Sequence, residues 1–78
     1  MPFIAEVKAI LLDLPIPAEI VEALDPDVPL VAQGLDSADF PLFILALEER
    51  YRVAISDIDS LRLRTLHDVA VFLDAASR

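Results

Sequence analysis

The sequence predicts an all-α fold, a small four-helix bundle with three longer helices, one short helix and a long first loop. Apolar residues recur at steps of three and four rather than in the two-residue alternation of strands. The chain is 56% hydrophobic and holds a single glycine. With 78 residues and no cysteine, we expect one domain over residues 1–78, held together by packing alone.

The first helix is expected over about residues 3 to 14, and Pro15 and Pro17 end it. The segment from Pro15 to Leu35 carries four prolines and is long for a loop in a compact domain, so we expect it to be functional or partly structured. A short helix is expected within it, near residues 18 to 24. The apolar stripe of the first helix comprises Phe3, Ile4, Val7, Ile10, Leu11 and Leu14.

The second main helix is expected from about Asp39 to Arg52. Ser56 is predicted to cap the short helix that follows it, with Asp59 at N3 in a variant of the capping box. Thr65 is predicted to cap the last helix in the same way, with Asp68 at N3. The residues expected to face inward are Phe43, Ile44, Leu47 and Tyr51 in the second main helix, Ile55, Ile58 and Leu61 in the short helix, and Leu66, Val69, Ala70, Leu73 and Ala76 in the last.

The charge of the chain restricts its partners. Fourteen acidic residues against six basic ones give a net charge of −8, which repels phosphate backbones; we therefore expect no nucleic acid partner and favour basic protein surfaces. The longest apolar stretch, Phe40 to Leu47, is too short to cross a membrane, and the N-terminus lacks a secretory signal pattern. A cytoplasmic monomer with no membrane partner is expected, and the lack of cysteine agrees with that compartment.

Residues that could support catalysis are few. His67 is best interpreted as a solvated histidine in the first turn of the last helix, and Asp25 and Asp27 as solvated loop charges without the spacing of a calcium loop. Glu48 and Glu49 are adjacent in a helix, so their side chains point about 100° apart and cannot converge on one bond. The sequence therefore predicts no enzyme and no metal site.

Ser37, in the stretch "GLDSADFP", has two interpretations from the residues alone. Small polar and acidic residues such as Ser37, Asp36 and Asp39 commonly cap helix N-termini. A helix N-terminus also presents free N–H groups and a positive partial charge, so a phosphate attached to the Ser37 hydroxyl would be favoured there. Both interpretations stay open at this point.

The motifs around this serine resemble those of acyl carrier proteins. Gly34-Leu35-Asp36-Ser37 precedes "LALEERY", which begins eight residues after the serine, and "I-x-D" and "RTLHDVAVFL" follow in the family's order. The resemblance covers about residues 30 to 73. It implies that a phosphopantetheinyl transferase, which needs magnesium, attaches 4′-phosphopantetheine from coenzyme A to Ser37. Asp36 would present the hydroxyl and the metal, while Gly34 and Leu35 would shape the turn.

The resemblance further implies a carrier that holds acyl or aminoacyl groups as thioesters for fatty-acid, polyketide, nonribosomal-peptide or other specialised synthesis. Its other partners would be a loading ligase and downstream synthase enzymes with basic or apolar docking surfaces. The cofactor's thiol would explain why the chain needs no cysteine or base of its own. The alternative is an unmodified helical adaptor that kept the carrier fold.

The resembling proteins can shelter the acyl chain in a pocket between the helices. Core packing is nevertheless the simpler interpretation of each matching residue taken singly. These positions include Leu30, Leu47, Ile55, Leu63 and Val69.

Two residues near the serine depart from the family pattern. Ala38 stands where a larger apolar residue is common. Pro41, in a helix beginning at Ser37, would remove a hydrogen bond to the Ser37 carbonyl and crowd it, at a cost of up to about 3 kcal/mol. We therefore expect Asp39 as N-cap, Pro41 at N2, Phe40 forced away from helical angles, and a late or irregular helix start.

The outward face of the second main helix is predicted to bind partners. Leu42 stands where an acid is frequent in the family, and a row of exposed apolar residues rimmed by acids often marks a contact surface. The alternative is that the N-terminal segment or a dimer mate buries this face. The predicted partner-binding residues are Ala38, Asp39, Pro41, Leu42, Leu45, Glu48 and Glu49.

Overall fold

The computed structural model describes residues 3–77, and within them it contains helices and no strand. This confirms the predicted all-α bundle with three longer helices, and the expected short helix within the first connection is also present. The α-helices are α1 (Ile4–Leu12), α2 (Ala18–Glu22), α3 (Phe40–Tyr51), α4 (Asp57–Arg62) and α5 (Leu66–Ala76), and two 3₁₀ helices span Leu30–Gln33 and Ser37–Asp39.

A single hydrophobic core lies between α1 and the elements around it. α1 packs against α2, α3 and α5, and its two buried residues, Val7 and Leu11, belong to the core. Removing this much apolar surface from water is the main force that holds a domain of this size together. The large side chains with almost no exposed surface are Val7, Leu11, Val21, Leu30, Phe43, Leu47, Leu66, Val69 and Leu73.

The inward face predicted for the short helix α4 is wrong. Ile58 and Leu61 are 65% and 77% exposed, and α4 buries none of its residues. Ile55, just before the helix, is only partly buried against the core. A six-residue helix has fewer than two turns, so apolar residues three apart do not determine which face packs. Ala76 is also exposed, since it lies in the last turn of α5, beyond the buried Leu73.

Both predicted caps are present. The Ser56 hydroxyl accepts a hydrogen bond of 3.0 Å from the Asp59 N–H at the start of α4. At the start of α5, the Thr65 hydroxyl accepts from the Asp68 N–H at 2.9 Å, and the Asp68 carboxylate accepts from the Thr65 N–H at 3.1 Å. This reciprocal pair is a complete capping box, which satisfies two N–H groups that a helix start otherwise leaves unpaired.

The long first connection is partly structured, as expected. Gln33 organises it: its side-chain oxygen accepts from the Asp25 N–H at 2.7 Å, and its amide nitrogen donates to the carbonyls of Asp25 and Val28. The connection is also bound to the turn between α4 and α5, because the Leu30 N–H donates to the Arg64 carbonyl at 2.8 Å. Four prolines in this segment are therefore compatible with an ordered path.

The contact between α1 and the end of α3 includes the only tyrosine. Phe3 and Tyr51 pack edge to face, with ring centroids 5.6 Å apart. The Tyr51 hydroxyl is buried and makes no hydrogen bond of standard geometry within residues 3–77. Burial and, secondarily, the Glu6 carboxylate raise the pKa of Tyr51, although the nearby Arg50 opposes the shift.

We expect Tyr51→Phe to leave the free energy of unfolding at pH 7 unchanged, or to raise it by up to about 1 kcal/mol, because it keeps the ring and removes a buried hydroxyl that makes no hydrogen bond of standard geometry within residues 3–77. The pKa of Tyr51 is higher in the folded than in the unfolded chain, so its contribution is present below the unfolded value of 10.0 and is lost as the pH rises above it. Urea unfolding at pH 7 measures the effect of the substitution. The change in the free energy of unfolding between pH 7 and about pH 11, compared between the native chain and the variant, measures the contribution of Tyr51 ionisation. A clear loss of stability in the variant at pH 7 would show that the hydroxyl is paired.

Candidate functional site

A rigid turn leads to Ser37. Gly34 has φ +103°, in the left-handed region that favours glycine, and a Cβ there would lie 3.2 Å from Ile20 Cδ1. Leu35 follows with its side chain buried, and its N–H donates to the Leu30 carbonyl at 3.3 Å. Backbone conformation and burial together hold the chain in place immediately before Asp36 and Ser37.

The next residues form the 3₁₀ helix Ser37–Asp39. Asp36 is its N-cap: the carboxylate accepts from the Ala38 N–H at 3.0 Å, and the Asp36 carbonyl accepts from the Asp39 N–H at 2.9 Å. Of the two roles open for Ser37, the capping role belongs to Asp36 instead. The Ser37 side chain is exposed at the first position of this helix.

Pro41 is accommodated by a change of helix type, and the expected irregular start of the helix is confirmed. The Ser37 carbonyl accepts from the Phe40 N–H, three residues on, so it needs no donor at Pro41. Asp39 is the N-cap of α3 as expected, and Pro41 lies in its first turn, where a missing N–H is no loss. The expected distortion of Phe40 is wrong, because its angles, φ −60° and ψ −45°, are helical.

A groove of about 600 Å³ begins at Ser37 and runs between α3 and α4. Only part of this lining was predicted, since Leu61 was expected in the core and Ser60 had no expected role. These two residues could have been placed only if the orientation of α4 had been known, because α4 forms one wall of the groove. The other residues that line the groove are Phe40, Pro41, Ile44, Leu45, Glu48, Ile55 and Asp57.

The positions that the resemblance linked to an acyl pocket are mostly core residues. Leu30, Leu47 and Val69 have no exposed surface, so their simpler interpretation as packing residues describes them. Leu63 is buried but lines a smaller neighbouring pocket of about 160 Å³. Ile55 alone among the five lines the groove at Ser37.

The outward face of α3 is open in the structure. Leu42 and Leu45 are 46% and 51% exposed. α1 packs against α3 without covering this face, so the alternative in which the N-terminal segment buries it is wrong as far as residues 3–77 extend. Of the other five residues predicted to bind partners, Ala38, Pro41 and Glu49 are exposed, whereas Asp39 and Glu48 are partly buried.

The remaining polar candidates have structural partners. The Asp25 carboxylate accepts from the Asp27 N–H at 2.9 Å, and His67 Nδ1 lies 3.9 Å from an Asp27 carboxylate oxygen. Within residues 3–77, no three potential ligand side chains are grouped so as to hold a metal ion. In the same part of the chain, no helix combines the length and hydrophobicity needed to cross a membrane.

The structure is a small helical bundle in which a turn leads to an exposed serine, Ser37, beside a groove. The family model described as "Phosphopantetheine attachment site" matches residues 7–73, and the chain belongs to this family. The suspected kinship with acyl carrier proteins is thereby confirmed, and so is the predicted cofactor, covalent 4′-phosphopantetheine. Such domains are generally non-catalytic carriers that interact with phosphopantetheinyl transferases and synthase enzymes.

The residues around Ser37 fit this group. An exposed hydroxyl gives access to a modifying enzyme, and the adjoining groove has the size of a small-molecule site. Its lining is mainly apolar with a few hydroxyl and carboxylate groups, which suits a long flexible chain with amide groups. When bound, the group supplies the thiol that holds an acyl group as a thioester.

Proposed function

We propose that the chain is a carrier domain that holds acyl or aminoacyl groups on a phosphopantetheine arm attached to Ser37 and performs no catalysis itself. It would deliver these groups to enzymes of a fatty-acid, polyketide, nonribosomal-peptide or other specialised pathway in the cytoplasm. One observation carries the assignment to Ser37: its exposed hydroxyl lies at the end of a rigid turn and lines the groove.

Each neighbour of Ser37 has a proposed part in presenting the hydroxyl. Gly34 and Leu35 hold the approaching backbone, because one supplies the left-handed turn and the other anchors it in the core. Asp36 keeps the backbone after Ser37 in a tight turn. One Asp36 carboxylate oxygen is used in that hydrogen bond, which leaves the other for the magnesium ion that the transferase brings.

The outward face of α3 is the proposed docking surface for the transferase, the loading ligase and the synthase enzymes. Leu42 and Leu45 would enter an apolar depression of a partner, while Asp36, Asp39 and Glu49 would meet basic residues at its rim. Opposite charges would speed the encounter, and burial of the two leucines would hold the complex. A second copy of the chain on this face is the competing occupant.

We expect Leu42→Glu to weaken binding of a cognate loading or synthase enzyme by about tenfold or more, because it places a charge at the centre of the apolar contact. Leu12→Glu is the matched control, since Leu12 is equally exposed, at 46%, but lies on α1. Calorimetric titration of both variants measures the effect. Equal affinities of the two folded variants would remove the docking proposal, and a change in molecular mass with concentration in the native chain would favour a dimer.

The carrier function is tested by incubating the purified chain with coenzyme A, magnesium and a broad-specificity phosphopantetheinyl transferase, and recording its intact mass. A gain of one phosphopantetheine is expected. No gain with several transferases, in a chain shown to be folded, would favour the unmodified adaptor. Ala38 and Pro41 depart from the family pattern, and these departures support the adaptor as a second candidate function.

A further inference from the structure

The two adjacent acids near the end of α3 have different surroundings. Glu48 is partly buried and lines the groove, and its carboxylate accepts from the Ile55 N–H at 2.9 Å. Glu49 is exposed. This hydrogen bond ties the chain after α3 back to that helix through a side-chain acceptor.

Glu48 binds this segment at a second point as well. The backbone reverses at Arg52, which has φ +54°, and the Val53 N–H then donates to the Glu48 carbonyl at 3.3 Å. Glu48 therefore accepts from three N–H groups of the segment 52–56: those of Arg52 and Val53 with its carbonyl, and that of Ile55 with its carboxylate. The side-chain bond lies directly before α4.

α4 has few other restraints. None of its residues is buried, and it packs less against the other helices than α1, α3 or α5 does. It is anchored at its two ends: Leu63 follows it with its side chain 97% buried, and the segment held by Glu48 precedes it. The position of α4 determines the width of the groove, because Asp57, Ser60 and Leu61 form one wall.

We propose that Glu48 is a positioning residue that fixes α4 and thereby the width of the groove beside Ser37, while Glu49 is the acid that faces partners. The inference rests on the proposed function as far as the groove receives the arm, but the restraint on α4 is independent of any modification. The property required of residue 48 is a hydrogen-bond acceptor at this length. Its negative charge is not required.

The first experiment uses the unmodified chain and three variants: Glu48→Met, Glu48→Gln and Glu49→Met. Methionine keeps the length and helix propensity of glutamate but accepts no comparable hydrogen bond, whereas the glutamine amide oxygen accepts one. Amide hydrogen exchange at Ile55, measured by NMR, should become about tenfold faster in Glu48→Met and stay near the native rate in the other two. Native exchange in Glu48→Met, or equally fast exchange in Glu48→Gln, would overturn the proposal.

The second experiment measures the effect on the groove. The chain has no cysteine, so the thiol of an attached arm is its only thiol. Its rate of reaction with a small disulfide reagent should change at least about twofold in Glu48→Met and be restored in Glu48→Gln. Equal rates in all variants would overturn the link to the groove. If no arm can be attached, the proposed function fails, while Ile55 exchange still decides the role of Glu48.

Discussion

Ser37→Ala is expected to abolish attachment of phosphopantetheine completely, because it removes the oxygen that would form the phosphodiester bond. Ser60→Ala is the matched control, since Ser60 lines the same groove with a hydroxyl. The Ser60 hydroxyl already donates to the Asp57 carbonyl at 2.8 Å within α4, whereas Ser37 lies exposed at the end of a fixed turn. Intact mass after treatment with coenzyme A, magnesium and a transferase should show one added group on the native chain and on Ser60→Ala only.

The two serine variants test the position of attachment separately from family membership. A mass gain on Ser37→Ala would place the attachment elsewhere and leave the family membership intact. A gain that disappears in Ser60→Ala alone would assign the group to α4. Circular dichroism of both variants should match the native chain, because neither side chain contributes to the buried core.

Phe43→Ala is expected to remove a large share of the free energy of unfolding of this domain. Phe43 is the largest fully buried side chain and packs edge to face with Phe40, with ring centroids 6.2 Å apart. Truncating a buried phenylalanine costs about 3–5 kcal/mol. A domain of 78 residues has a free energy of unfolding of only about 4–12 kcal/mol, and this chain has no disulfide to add to it.

Urea unfolding followed by far-UV circular dichroism measures this effect. Phe43→Leu is the control, since it keeps most of the apolar volume and should lose roughly half as much stability or less. A Phe43→Ala variant as stable as Phe43→Leu would mean that the core collapses into the space left by the ring. In that case α3 would be held mainly by its other buried residue, Leu47.

The longer helices could be predicted because each carries enough apolar residues to define one face. The α1 stripe contains Val7 and Leu11, both fully buried, and the α5 stripe contains four buried residues. The start of α5 was equally predictable, since Thr65 and Asp68 form a local pattern that needs no tertiary contact. The late start of α3 followed from Pro41 alone, because a proline restricts the backbone around it wherever it lies.

The prediction of the functional site was less complete. Ser37 and its aspartates were predicted from local sequence, and they lie within residues 7–73, which the family model matches. The lining of the groove beside Ser37 was predicted only in part, because its walls belong to two helices separated in the chain. The angles of Phe40 were predicted incorrectly, since a general preference of residues before proline was overridden by the helix that continues through it.

Local patterns in the chain were sufficient for the helices, their caps, the irregular turn at Ser37 and the motif of the carrier family, because each depends on residues a few positions apart. The orientation of α4, the groove and the different surroundings of Glu48 and Glu49 depend on the tertiary structure. α4 is too short for its own apolar spacing to select a face, so its position follows from bonds to its ends, of which the Ile55–Glu48 hydrogen bond is one. Two neighbouring glutamates are equivalent in sequence, and only the return of the chain past α3 makes one of them an internal acceptor while the other stays exposed.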